Sequence, residues 1–431
     1  MARINLKSIV ALSLVMAFML SFTGSMGEAA GSQSDERFTL TMWIISDHAI
    51  ERNPGLQIAI EKYKEIYPNA TVNVEAKGRP EQLYDLLNIA LSAGNPPDLF
   101  WSNVGQVMGF YIENDRLQSL APYAQQYGWY DLYPKSTFDY QRSQFGDVYA
   151  LPQDLNAMGV WYKKDLFEKF GLQEPNTYQE LIDICHTLKN NGVVPFALAG
   201  KWPAITTRIV DSILEMVGGV EFHEDLLSGK ASFNSPEVID TFRTFKADWV
   251  DNGFFQEGFL SAEETEVYML WYPSNACFWF SGTWEIGVFD QNGQNVDDFD
   301  FFAFPSGTNR LITFGNAYYM PRDSNLHEQA AAFLNVISSL EAQESYLEAY
   351  GDSNVARLGA IDTSKVSDVK NKIIGMIGSY GSFVPTNEIG LNPRMTDVWF
   401  EVLDQVILNQ ISPEEAAQRL DEKAIEFDWY R

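Results

Sequence analysis

Gly94-Asn95-Pro96-Pro97-Asp98-Leu99-Phe100-Trp101-Ser102-Asn103 reads as a turn feeding a short apolar strand, and the fold follows from where that strand sits. Upstream, Phe38 to Ile45 has the composition of a strand, and Leu56, Ala59, Ile60, Tyr63 and Tyr67 recur at helical spacing until Pro68-Asn69 ends the helix. Thr71 to Glu75 alternates as a second strand, and Leu83, Leu86, Leu87, Ala90 and Leu91 mark a second helix. With Asp98 to Trp101 as the third strand, the order is βαβαβ, the unit of a parallel sheet covered by helices. In such a sheet ligands bind outside the carboxyl ends of the strands, which is where Trp101 and Asn103 arrive. A flat indole beside an amide suits a polyhydroxylated ring with one apolar face and an equator of hydroxyls.

The alternation returns downstream. Gly146 to Pro152 precedes a strand at Ala157 to Tyr162, and a helix follows over Thr177 to Asn190. A strand at Ala276 to Phe280 leads into Gly282-Thr283-Trp284, and Phe301 to Phe304 runs into Pro305-Ser306-Gly307, punctuation that suits a crossing between two lobes. Helices at His327 to Ser338, Asp397 to Leu408 and Pro413 to Phe427 complete the chain.

The chain has 431 residues, 46% of them hydrophobic, enough for two or three cored domains. Lys plus Arg number 30 against 58 Asp plus Glu, a net charge of −28 that disfavours nucleic acid and anionic membrane surfaces as partners. Residues 1–30 follow a secretory pattern: Arg3 and Lys7, an apolar run from Ile9 to Phe22, and a small-residue cleavage site at Gly27-Glu28-Ala29. Ser25 stands where a bacterial lipoprotein signal would place its lipid-accepting cysteine, so no thioether forms at that position and the expectation is an exported periplasmic or cell-surface-associated protein. Cys185 and Cys277, the two cysteines, both lie in apolar patterns and read as buried small hydrophobes. His48, His186, His223 and His327 share no metal-ligand spacing, and neither a metal nor a cofactor is expected.

Taken in order, several segments resemble the carbohydrate-binding solute receptors of ABC importers, the family that includes maltose-binding protein. They are Leu40-Thr-Met-Trp43, Ala93-Gly-Asn-Pro-Pro-Asp98, Asp115-Arg-Leu-Gln-Ser-Leu120, Gly146-Asp-Val-Tyr-Ala-Leu-Pro152, Trp161-Tyr-Lys-Lys-Asp-Leu-Phe167, Ser281-Gly-Thr-Trp284 and Ala330-Ala-Ala-Phe-Leu334. The resemblance implies an α/β, two-lobed periplasmic-binding-protein fold, each lobe a mostly parallel sheet with flanking helices. Residues 37–150 and 306–358 would form one lobe and 151–305 with 359–431 the other, Leu358-Gly359-Ala360 resembling a second return crossing. It also implies a sugar or oligosaccharide held in the cleft, delivery to an ABC permease, and a monomer without enzymatic activity.

Within that resemblance, Asp47 in Ser46-Asp47-His48 and Asp154 beyond Pro152 match positions where carboxylates reach sugar hydroxyls. The alternatives are a cap before the Pro54 helix for Asp47 and a structural hinge role for Asp154. Trp202, Trp399 and Trp43 match aromatic positions, with a core role the alternative for the first two, and Asn316 and Tyr318 fall in a cleft-lining segment. Trp284 is the leading candidate on its own residues, because Gly282 permits close backbone approach while the indole lies flat against a ring. Trp129, Trp249, Trp271 and Trp279 are expected mostly in the core.

Two rivals remain open to the sequence. A polyamine or other cation receptor on the same fold would use the acidic balance and an aromatic cage. A secreted glycoside hydrolase would need paired carboxylates, Asp47 and Asp154 being the available pair, but no hydrolase pattern accompanies them.

Overall fold

The computed structural model describes residues 36–350, 359, 366–380 and 382–430. The leader, Ser25, and both Leu358 and Ala360 of the expected return crossing lie outside them. Nine strands are described: β1 (Thr39–Ile44), β2 (Thr71–Ala76), β3 (Leu99–Asn103), β4 (Ala150–Lys163), β5 (Val194–Ala197), β6 (Ala276–Gly282), β7 (Phe299–Phe302), β8 (Arg310–Tyr319) and β9 (Ser382–Pro385).

The opening βαβαβ unit forms as its pattern requires. Helices Pro54–Ile66 and Pro80–Ser92 join β1, β2 and β3, and β1 pairs in parallel with both other strands. Asn53 caps the first helix, its side chain accepting the Leu56 N–H at 2.9 Å, so capping does not fall to Asp47. Asp98 of the Gly94–Asn103 stretch accepts the Thr41 N–H at 2.8 Å and the Ser324 hydroxyl at 2.6 Å, tying the entry of β3 to β1 and to the returning chain.

Two long strands carry the chain between lobes. β4, expected to begin at Ala157, runs unbroken from Ala150. Its first half pairs with β8, and its second half with β6 and β7. Every residue of it except Leu155 is buried, so it lacks the polar–apolar alternation that announces a strand. The ladder register shifts between Pro152 and Asp154, leaving Gln153 as a bulge next to a proline that has no N–H to donate. β8 likewise serves both sides, pairing in parallel with β9 at its start and antiparallel with β3 and β4 further along. The sheets are therefore mixed: β1–β2, β1–β3, β5–β6 and β8–β9 are parallel, and the pairs made by the crossing strands with β3, β4, β6 and β7 are antiparallel. The expected Phe301–Phe304 strand forms two residues earlier, as β7.

Separate cores fill the two sides. Leu40, Met42, Tyr63, Trp101 and Phe333 belong to one, with a smaller cluster around Phe100, Ala150 and Tyr319 on the opposite sheet face. Val160, Trp161, Phe196, Phe278 and Trp399 belong to the other. Trp129, Trp249, Trp271 and Trp279 are all core residues, and Cys185 and Cys277 are buried, free thiols.

Candidate functional site

The tips of β3, β8 and β4 bring the polar candidates onto one sheet face. Trp101 pairs with Tyr318 and Asn103 with Asn316, while the Gln153 bulge restores Asp154 to register with Asn316. Phe314 lies on the same face by strand alternation, opposite Asn156. A chain of side-chain hydrogen bonds crosses this face. Tyr84 Oη donates to Asn103 Oδ1 at 2.7 Å, Asn103 Nδ2 to Asn316 Oδ1 at 2.8 Å, and Asn316 Nδ2 to the Asp154 oxygens at 2.9 and 3.0 Å. From the other direction, Thr283 Oγ1 donates to Asn156 Oδ1 at 3.1 Å, and Asn156 Nδ2 to Asp154 Oδ1, also at 3.1 Å.

Asp154 is 3% exposed and accepts from the Asn316 side chain and backbone, the Asn156 amide and the Tyr346 hydroxyl. Burial pushes its carboxyl up to about 7 despite those donors. Two carboxylate oxygens offer about four acceptor positions, so protein donors already occupy what a sugar hydroxyl would use. Those bonds favour the structural alternative for Asp154 over direct contact with a sugar.

An aromatic cluster adjoins this chain. Trp284 is half-buried, and its indole lies so close over Gly282 that a Cβ there would come within 2.0 Å of the ring. The Gly282 carbonyl is held by Trp161 Nε1 at 2.9 Å. Glu285, the next residue, is buried and accepts from Trp279 Nε1 at 2.9 Å, Ser281 Oγ at 2.7 Å and Tyr268 Oη at 3.1 Å, which fixes the turn carrying Trp284. Burial raises the Glu285 carboxyl to about 7. Phe314 meets Trp284 edge-on at 5.7 Å. Between these rings sits the Arg208 guanidinium, 5.1 Å from the Trp202 centroid and 5.4 Å from those of Trp284 and Phe314. Arg208 is itself buried and forms a two-pronged ion pair with Glu388 at 3.2 and 2.8 Å.

Other expectations are redirected. Trp399 is 0% exposed and packs against Phe242 and Phe233 in the core, so it is removed from the site. Trp101 is 2% exposed, its ring embedded in the first core and edge-on to His48 at 5.8 Å. Its ring face is not available for stacking, and its indole N–H, without a hydrogen-bond partner among the described residues, is buried with it. Tyr318 is buried in the same core. Leu40, Met42 and Ile44 point into that core, so Trp43 faces the other side of the sheet, beneath the Lys77 ammonium at 4.4 Å and donating to Glu75. Asp47 lies in a short 3-10 turn, Ser46–His48, at the end of β1, and its side chain is outside the described residues.

A second space opens on the reverse face of β4 and β8. This cavity of about 780 Å³ is lined by Tyr140, Gln144, Asp154, Leu155, Arg310 and Thr313, among others; Asp154 alone of the candidate residues borders it, and none of the aromatic ones does. The chemistry suited to a sugar ring is on the aromatic face, and the candidate site is placed there.

Phe314, Arg208, Asn156, Thr283, Glu285 and Tyr346 are not singled out by the sequence. Phe314 was recoverable, since it alternates with Asn316 and Tyr318; the Arg208–Glu388 pair joins positions 180 residues apart and left no local signal.

A family profile for the bacterial extracellular solute-binding protein matches residues 49–344. The chain belongs to this family. An uncharacterised ABC transporter extracellular-binding protein of Pyrococcus horikoshii is 28% identical over 298 residues, covering 66% of this chain and 65% of that one. A diacetylchitobiose-binding protein of Streptomyces coelicolor is 26% identical over 241 residues, covering 51% and 49%. The chain thus spans somewhat under two thirds of the first relative's length and about half of the second's. Among solved structures, a chitin oligosaccharide binding protein superposes with a TM-score of 0.79 at 21% identity, covering 90% of this chain and 98% of that one, which shows a common two-lobed fold. Among the described residues no helix is long and apolar enough to cross a membrane.

Proposed function

We propose that this member of the family is the exported sugar- or oligosaccharide-binding component of an ABC importer, acting as a monomer that delivers its cargo to a membrane permease. The observation that carries the reading is the half-buried Trp284, held over Gly282 at the meeting of the two lobes, with Trp202 and Phe314 beside it. Trp284 and Trp202 are the proposed platforms, and the Asp47 turn supplies polar contacts from the opposite wall. The named relatives that bind diacetylchitobiose or chitin oligosaccharides support the ligand class. The separate cores support two lobes joined through β4 and β8, near the expected bounds of 37–150 with 306–358 and 151–305 with 359–431, although Leu151 packs in the first core and Ile312 in the second. Binding would then favour a closed arrangement of the lobes through its differential affinity, and no catalytic step is needed. The leader at 1–30 directs export in this reading.

The aromatic face argues against a cation as cargo. Arg208 already makes the cation–π contacts with Trp202, Trp284 and Phe314 that a polyamine would use, whereas a neutral sugar needs only the exposed part of the half-buried Trp284. Thermal shift and tryptophan fluorescence against mono- and oligosaccharides plus spermidine test the proposal. A saturable rise in melting temperature with one glycan class is the expected result. A response to spermidine alone, or none to any glycan, overturns it.

A further inference from the structure

The hydrogen bonds across the crossing strands share one polarity, and it converges on a single atom group. Asp154 meets only donors, and as an ionised carboxylate, its form above about pH 7, it can only accept, so Asn316 turns its Nδ2 toward Asp154 and its Oδ1 toward Asn103. Asn103 must then present Nδ2 to Asn316 and Oδ1 to the Tyr84 hydroxyl. The same constraint acts on the other arm: Asn156 offers Nδ2 to Asp154 and Oδ1 to Thr283, whose hydroxyl oxygen accepts the Ala157 N–H at 3.3 Å. One arm runs through Asn103, at the tip of β3, to Tyr84; the other ends on Thr283, directly before the Trp284 platform.

We infer that Asp154 is a positioning residue whose carboxylate, as the common acceptor of these two arms, sets the register between the two walls of the ligand cleft. This rests on the sugar-receptor reading above and goes beyond it by assigning Asp154 to cleft geometry instead of ligand contact. Charge-assisted hydrogen bonds in a buried chain polarise their neighbours, so orientation imposed at Asp154 is transmitted to both ends. The Tyr346 hydroxyl adds a tie from helix Leu340–Tyr350. A neutral amide at 154 does this poorly: its oxygen can take the Oδ1 position that both arms reach, but without the charge, and its NH2 then stands where Oδ2 accepts from Asn316 Nδ2, donor against donor.

The decisive variants are Asp154→Asn and the exchange Asp154→Asn with Asn316→Asp. In the exchange, the new amide on β4 donates its nitrogen to the new carboxylate on β8 while its oxygen still accepts from Asn156. That carboxylate in turn still accepts from Asn103, so both arms keep their polarity with the charge moved one strand over. Purified proteins are compared by ligand-free thermal unfolding and by affinity and dissociation rate for the glycans that the wild type binds. Asp154→Asn is expected to fold, melt at a lower temperature and lose about tenfold or more in affinity for every glycan, chiefly through faster dissociation. The exchange is expected to recover most of both. An exchange variant as weak as the single variant, or a single variant that binds like the wild type, overturns the inference.

Thr283→Val gives an independent arm should the single variant not fold: it cuts the far end of one chain without touching the carboxylate. Faster dissociation supports the inference, and unchanged binding refutes it. If the wild type binds no glycan, the sugar reading fails, and the unfolding comparison still decides the role of Asp154.

Discussion

At the scale of single residues, the platform depends on an empty α-carbon. Trp284 rests over Gly282, and the 2.0 Å separation from a hypothetical Cβ means that Gly282→Ala must push the indole away. Overpacking of this kind costs about 1–3 kcal/mol where the displaced group matters. Gly282→Ala should weaken glycan binding by about that amount in a calorimetric titration, and an unaltered affinity would show that the indole does not meet the ligand. Trp284→Ala removes the ring outright, and truncation of a central tryptophan in a binding site costs about 2 kcal/mol or more. Retained affinity in a folded Trp284→Ala protein would exclude Trp284 from the site. Residue types were legible in the sequence, but their directions were not. Trp284 announced itself through its glycine, whereas Trp399 and Trp101 are as aromatic as Trp284 and turn inward, because tertiary neighbours decide where an indole points. Asp154 was visible as an acid at the crossing. That its acceptor positions are filled depends on Asn316, which reaches it from a strand 162 residues away.

At the scale of elements, the crossing strand β8 is anchored at its first residue. Arg310 is buried and donates to Glu215 at 3.0 and 2.5 Å and to Glu224 at 2.7 Å, clamping the strand to helix Pro203–Leu227. His223 completes the cluster, its Nδ1 2.7 Å from Glu215 and its Nε2 3.1 Å from Asn387. The helix breaks within this region at Gly219, whose φ of 76° is a left-handed conformation that favours glycine. Removing one member of a buried ion pair strands the other, at a cost of about 3–5 kcal/mol. Arg310→Met should therefore lower the urea midpoint markedly, and a loss under about 1 kcal/mol would mean that Glu215 finds other compensation. Elements with a single buried face were readable in the sequence: β1, β2 and their helices show period and caps. β4 and β8 were only partly so, since strands buried on both sides carry no alternation and a proline beside a bulge mimics a loop.

At the scale of the whole molecule, buried carboxyls pull stability in opposite directions along the pH axis. Asp154 and Glu285 are raised to about 7 by burial, so their contribution is complete below their unfolded values near 4 and is lost as pH rises through 7. For Glu215, burial works upward, but His223 and Arg310 outweigh it and hold the group at about 2, so its contribution is present above about 4.5 and is lost as pH falls toward 2. The melting temperature of the ligand-free protein should accordingly peak in mildly acidic solution and fall on either side. A profile rising steadily from pH 5 to 8 would contradict the assignment. The central position of β8 also governs when the protein can fold. It sits between β3 and β4, so the first 150 residues cannot complete their own sheet until residues beyond 310 are present. A chain emerging from the ribosome therefore keeps an open strand edge on its leading lobe until nearly three quarters of it has been made. That delay suits the export proposed above, since a chain whose leading lobe is incomplete stays unfolded for longer.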